Sequence, residues 1–160
     1  MEKLSSVAQL YLRLSIGAGY FVFGLDRLGA WGRYGSKNVS WGDWEHFLKN
    51  AAEVMNFLPL PVVTVFAIIA TVCEISFGIL LLTGTWIRIA AFGSGMLAML
   101  FAISMAISAG IISPLSYSVF TLSAASFLLA GCKEYKWSVD SMFDKRKMEK
   151  KNLHQTDPVI

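Results

Sequence analysis

The sequence predicts an all-α protein, a transmembrane four-helix bundle with an additional interfacial amphipathic helix between helices one and two. The 160 residues are 55% hydrophobic and only 16% charged, whereas about a quarter of the residues in soluble domains are charged. A run of 44 residues, 89–132, contains no charge at all. Because one membrane span needs about 20 residues, this run is long enough for two spans joined by a turn.

The first span is predicted at about residues 6–28, with Arg13 and the Asp26-Arg27 pair near its two ends. Lys3 followed by an apolar stretch is also typical of a secretory signal peptide. Arg13 interrupts that stretch, however, and three more spans follow, so we expect a retained helix.

An amphipathic helix is predicted at about residues 41–57, with Ser40 as its N-cap. Its apolar positions recur at helical spacing and are Trp41, Trp44, Phe47, Leu48, Ala51, Ala52 and Met55. The segment is too short to cross a bilayer, and tryptophan favours the headgroup level. We therefore expect an interfacial helix lying along the membrane. The alternative is an ordinary helix packed on protein.

The remaining spans are predicted at about 61–83, 89–111 and 115–131, the last two joined by a tight turn at Ser113-Pro114. Small residues let membrane helices approach closely, and in helix three they recur at every fourth position. The predicted packing seam consists of Gly17, Gly24, Gly78, Ser94, Ala98, Ala102, Ala106 and Gly110.

Helix four is rich in hydroxyl groups: Ser116, Ser118, Thr121, Ser123 and Ser126. Hydroxyls in apolar helices bond to backbone carbonyls or to neighbouring helices, which makes them interhelical contacts. The alternative is that they form a polar wall facing an internal cavity.

Residues 133–160 form a basic tail that carries seven of the fourteen Lys and Arg residues. With four spans, ten basic residues lie on the side of the termini and four on the other side. The positive-inside rule then places both termini in the cytoplasm. Because topology and anionic lipid account for these charges, they do not indicate a nucleic-acid partner.

Glu74 is the principal candidate for chemistry, because it lies inside a 21-residue apolar stretch, Val62–Leu82. A charged group in mid-membrane costs about 2.5–3.5 kcal/mol on insertion scales, so it requires a partner, water or a proton. We expect a buried ion pair between Arg13 and Glu74. Such a pair either fixes helix register or binds a ligand or proton.

Asp26 and Arg27 are secondary candidates, which could bind a headgroup or pair with the tryptophan-rich loop that follows; the alternative is that they are snorkelling charges at a helix end. The two histidines, His46 and His154, are far apart in the sequence, as are Cys73 and Cys132. The sequence therefore predicts no metal site and no haem of its own.

Three segments are similar to motifs of the DoxX/DoxD-like family of small four-helix membrane proteins. Residues 13–28, RLSIGAGYFVFGLDRL, resemble its opening "R-L-x-x-G … F-x-x-H-G-x-x-K-L", although Phe23 replaces the histidine and Arg27 the lysine. Residues 74–84, EISFGILLLTG, resemble "E-x-x-x-G-x-L-L-L-L-G", and residues 135–140, YKWSVD, resemble "G-R-Y-S-L-D". The resemblance covers about residues 6–142.

The resemblance implies a bacterial inner-membrane protein, a subunit of or partner to quinone-linked redox chemistry. DoxD-type members are membrane subunits of a thiosulfate:quinone oxidoreductase. By this analogy quinone is the expected ligand, and a lipophilic pocket would surround Arg13 and Glu74. The expected partners are the lipid bilayer and a redox enzyme, and self-association is left open. The alternatives are a non-catalytic component that binds or transports lipid or a small hydrophobic solute, and a scaffold that recruits an enzyme through the basic tail.

Overall fold

The computed structural model describes residues 2–141, which are helical and contain no β-strand. The principal helices are α1 (Glu2–Asp26), α2 (Trp44–Val54), α3 (Leu60–Thr83), α4 (Ile87–Ala109), α5 (Ile112–Ser116) and α6 (Val119–Ala130). The all-α prediction is confirmed for this part of the chain.

Two helices, α3 and α4, are long and apolar enough to cross a membrane by length and composition. The helix α6 is also apolar but has only 12 residues. Proline in the first turn starts α3, where a backbone N–H is not needed, and Gly84 ends it in the left-handed conformation (φ 76°).

Four helices pack side by side, since α3 contacts α1 and α4, and α6 contacts α4 and α1. Their shared core is apolar, and its largest fully buried side chains are Leu81, Ile87 and Leu129, all with 0% exposure. In addition, α2 packs against α3 and α4, and α5 against α4 and α6.

Glycines form a close contact between α1 and α3. A Cβ atom added to Gly78 would lie 2.7 Å from the backbone nitrogen of Phe21, and one added to Gly24 would lie 2.7 Å from Cγ1 of Ile75. Gly17 faces Leu81 and Leu82 in the same way. In each of these contacts, the number of the α1 residue and the number of the α3 residue that it faces add up to about 99. A constant sum means that the two helices run antiparallel, and its value fixes their register.

In this register α1 is displaced along the axis of α3, so the ends of the two helices are not level. Position 13 of α1 faces position 86, which already lies beyond the end of α3. Residues 2–12 of α1 therefore extend past the turn between α3 and α4. At the opposite end, α1 stops beside the middle of α3.

The helix α2 begins later than the sequence suggested, and its N-cap is Asp43, not Ser40. The Asp43 carboxylate accepts a 2.9 Å hydrogen bond from the His46 N–H. Gly42, with φ 69°, interrupts any helix that would start at Ser40. Phe47 and Ala51 pack on Val63 and Ala67, so the apolar face lies on protein, as in the alternative considered above.

The turn after α4 lies at Gly110 and Ile111, so the prediction of a turn at Ser113-Pro114 is wrong. Pro114 lies in the short helix α5, where a first-turn proline is tolerated. The predicted fourth span is broken at Tyr117 and Ser118, because Ser118 adopts the left-handed conformation (φ 55°) that starts α6.

The small residues of α4 differ in burial along the helix. Ser94, Ala98 and Ala102 are at most 1% exposed. Ala106 is half-buried, and Gly110 is exposed with no atom near an added Cβ. Close packing at small residues is therefore confined to the first two thirds of α4.

The first part of the predicted basic tail folds back onto the helices. Gln9 donates a hydrogen bond to the carbonyl of Glu134 (2.7 Å), and Arg88 donates to that of Cys132 (3.1 Å). Residues 142–160, with the other five basic side chains of that tail, lie outside the described residues.

We predict that Gly78→Ala destabilises the fold by about 1–3 kcal/mol, because its Cβ would meet the backbone of Phe21 rather than a flexible side chain. The matched control is Gly19→Ala on α1, where an added Cβ has no neighbour within 4 Å. That control should be neutral or stabilising by about 0.5–1 kcal/mol. Thermal unfolding in detergent measures both, and equal midpoints would contradict the close α1–α3 contact.

Candidate functional site

Glu74 lies on the inner face of α3 and is only 2% exposed. Its partner is Arg27, whose Nη2 lies 2.9 Å from Oε1 and 2.8 Å from Oε2 of the carboxylate. A charge-assisted contact of this kind compensates for the removal of both groups from water.

Two neighbours hold the Arg27 guanidinium in place. Its Nη1 donates to Oγ1 of Thr71 (3.1 Å), whose hydroxyl donates in turn to the Ala67 carbonyl (2.8 Å). The Phe47 ring covers the guanidinium, with Cζ 4.0 Å from the ring centroid. This cation–π contact ties α2 to the ion pair.

Asp26 anchors the loop that leads to α2. Its Oδ2 accepts hydrogen bonds from the backbone N–H groups of Ser40 (3.0 Å) and Trp41 (2.8 Å). Within the described part of the chain, Oδ1 of Asp26 and Nε of Arg27 are buried and have no hydrogen-bond partner.

The predicted ion pair between Arg13 and Glu74 is wrong. Glu74 faces position 25 in the α1–α3 register, about twelve residues or roughly 18 Å from Arg13. The prediction treated the ends of the two helices as level, whereas α1 is displaced along α3. Arg13 instead donates to the carbonyl of Trp137 (3.2 Å).

Asp26 and Arg27 do not snorkel, since they are 2% and 6% exposed. Asp26 is the last residue of α1 and Arg27 follows it, at the point where α1 stops beside the middle of α3. Because the two residues lie at the end of a predicted span, the sequence suggested that they reach the membrane surface. The displacement of α1 along α3 instead places both charged side chains inside the protein.

A second polar cluster at the opposite end was missed from the sequence. The Asp140 carboxylate accepts from the backbone N–H groups of Trp86 (3.1 Å) and Ile87 (3.2 Å), which caps α4. The Asp140 N–H donates to the Gly84 carbonyl (3.2 Å). The resemblance of residues 135–140 to a family motif was the available signal, but it did not show which helix Asp140 would cap.

A groove of about 380 Å³ lies between α1 and the α5–α6 segment. Its apolar lining is Leu12, Ile16, Leu122 and Ala125. Its hydroxyl-bearing lining is Ser15, Tyr117, Ser118 and Thr121. Glu74 and Arg27 do not line this groove.

His46 belongs to a small cluster outside the helix core. Its Nδ1 lies 2.8 Å from Oδ2 of Asp43, and its ring stacks on Tyr34 with centroids 3.8 Å apart. The backbone and side chain of His46 lower the pKa of Asp43 through hydrogen bonds to the carboxylate. In residues 2–141 no three His, Cys, Asp or Glu side chains are grouped as metal ligands, and Cys73 and Cys132 are free thiols.

Comparison with known families decides the assignment. The DoxX family model matches residues 8–109, which is more than half of the chain. The chain belongs to the DoxX family. That match includes Arg13, Asp26, Arg27 and Glu74, so the buried ion pair of this DoxX protein lies within the family region. No curated protein and no solved structure matched the chain.

We predict that Glu74→Gln lowers the free energy of unfolding by about 3–5 kcal/mol, because it leaves the Arg27 charge buried without its counter-ion. Glu45→Gln, at an exposed position in the first turn of α2, should change it by less than about 0.5 kcal/mol.

The double variant Arg27→Met with Glu74→Leu separates charge loss from cavity effects. It should be more stable than Glu74→Gln, since replacing both members of a buried pair by apolar residues is close to neutral. Denaturant unfolding of the detergent-purified proteins measures the free energy of unfolding of Glu74→Gln, Glu45→Gln and the double variant. An unchanged Glu74→Gln variant would show that the pair does not hold the fold together.

We predict that Asp43 titrates below its ordinary pKa of 3.8. A depressed pKa means that the contribution of the cap to stability is present above the ordinary pKa and is lost as the pH falls through the folded value. An NMR titration of the Asp43 side-chain carboxyl in micelles measures this value. In His46→Ala, which removes the ring contact, the midpoint should rise, and an identical midpoint in both proteins would contradict the assignment.

Proposed function

We propose that this DoxX protein is a multi-pass component of the bacterial inner membrane that serves as an accessory subunit in quinone-linked redox chemistry. Four helices, α1, α3, α4 and α5–α6, would cross the bilayer, with both termini in the cytoplasm. This topology follows from the distribution of basic residues, ten against four.

The observation that carries the proposal is the depth of the Arg27–Glu74 pair. Glu74 lies nine residues, or roughly 13 Å, from the end of the apolar helix α3. A buried ion pair at this depth is expensive in a bilayer, and ionisable residues within membrane helices are rare and are by default candidates for a functional site.

The geometry gives the ion pair a positioning role. Both oxygens of Glu74 already contact Arg27, and Phe47 covers the guanidinium, so the two charged groups are engaged mainly with each other and with α2. The pair would hold α1, α2 and α3 together and leave redox chemistry to a partner enzyme. A lipophilic ligand would then bind elsewhere on the bundle.

A second candidate is a component that binds or carries lipid without redox activity. It is favoured by the groove between α1 and α6, whose lining has no charged side chain. A scaffold acting through the basic tail is the third candidate, although most of that tail lies outside the described residues.

The test is purification of the tagged full chain from its bacterial host in mild detergent, followed by mass spectrometry of bound proteins and extracted lipids. We expect a redox enzyme and an isoprenoid quinone to co-purify, and quinone reduction by membranes to fall when the chain is deleted. Co-purified phospholipid, with unchanged quinone reduction, would replace this proposal by the lipid-binding function.

A further inference from the structure

The groove between α1 and α6 contains hydroxyl groups that nothing else in the fold uses. In the described part of the chain, the side-chain oxygens of Ser15, Tyr117, Ser118 and Thr121 have no hydrogen-bond partner. All four residues are exposed, and all four line the same groove.

Other hydroxyls of these helices behave differently. Ser94 and Ser126 donate to the carbonyl four residues earlier, at 2.7 and 2.8 Å. Ser123 donates across to the Gly95 carbonyl of α4 (2.8 Å). In the predicted fourth span, Ser123 therefore connects two helices and Ser126 bonds within its own helix, whereas Ser118 and Thr121 face the groove.

The backbone supports this division. Ser118 adopts a left-handed conformation that is uncommon for residues other than glycine. That conformation breaks the helical path between α5 and α6, and Tyr117 and Ser118 at the break both line the groove. Unusual backbone conformations of this kind cluster at binding sites.

From these observations we propose that the α1–α6 groove binds a quinone headgroup through the hydroxyls of Ser15 on one wall and Tyr117 and Thr121 on the other. A quinone ring is flat and apolar and carries carbonyl acceptors on opposite edges, which suits donors on two walls. The apolar side chains Leu12 and Leu122 would contact the ring or its tail. This inference rests on the function proposed above, because the ligand is a quinone.

The volume of about 380 Å³ fits a headgroup with a short part of its tail, and drug-sized ligands occupy pockets of about 300–1,000 Å³. Because α1 and α6 would both be membrane spans, the rest of an isoprenoid tail would extend into lipid. Binding to this groove would not require opening of the Arg27–Glu74 core.

The experiment is photolabelling of the full chain in phosphatidylcholine nanodiscs with an azidoquinone that carries a decyl tail. Mass spectrometry of proteolytic peptides should find the label in the segments around Ser15 and Thr121. Tyr117→Phe with Thr121→Val should weaken labelling roughly tenfold, because two hydrogen bonds are lost. Ser15→Phe, which fills the groove, should abolish it.

Thr64→Val is the matched control, since Thr64 is on α3 and its hydroxyl donates to the Leu60 carbonyl (2.9 Å). It should label like the unmodified protein. Circular dichroism and thermal midpoints establish that the groove variants are folded, which is expected because these side chains are exposed and unpaired.

Equal labelling of the double variant and the unmodified protein would overturn the groove assignment. Labelling that is spread over the lipid-facing helices would also overturn it. The same holds if a diazirine-bearing phosphatidylglycerol occupies the groove and displaces the quinone. If the groove is not labelled but deletion of the chain still lowers quinone reduction by membranes, the groove assignment fails and the proposed function stands. If quinone reduction is also unchanged by the deletion, the proposed function fails as well.

Discussion

The burial of one arginine beside one glutamate constrains most of this structure. Two charges removed from water are stable only when they are held at contact distance, with their remaining polar atoms satisfied as far as possible. Contact distance requires α1 to stop beside the middle of α3, and the glycines at positions 17, 24 and 78 allow that register. The same requirement brings α2 over the guanidinium through Phe47.

Carboxylates serve as backbone acceptors at both ends of the molecule. Asp26 binds two N–H groups of the loop before α2, and Asp140 binds two N–H groups at the start of α4. A backbone N–H left unpaired by a change of chain direction costs free energy, and each carboxylate supplies an acceptor for two such groups. The acidic residues in the two motif-like segments of this DoxX protein, Asp26 and Asp140, therefore have structural roles.

The sequence predicted the helices well because hydrophobic periodicity identifies helix faces. It identified the apolar face of α2, the need of Glu74 for a partner, and Gly17 and Gly24 as small residues that face α3. It did not predict the axial displacement of α1, since a glycine ladder is compatible with several offsets, and so it paired Glu74 with Arg13 instead of Arg27. The left-handed backbone conformation of Ser118 could not be predicted either, because a serine in a sequence does not indicate a positive φ.

The displacement of α1 also affects the outline of the molecule. Residues 2–12 extend beyond the turn between α3 and α4, and Leu4, Val7 and Tyr11 on that extension are 75%, 53% and 75% exposed. At the opposite end, α3 and α4 continue past the end of α1. In the four-span arrangement proposed above, the apolar surface would then be oblique, and a flat bilayer would cover it only if the protein tilted or the lipid became thinner on one side. Hydrophobic mismatch of this kind would make the orientation of the protein sensitive to the thickness of the surrounding membrane.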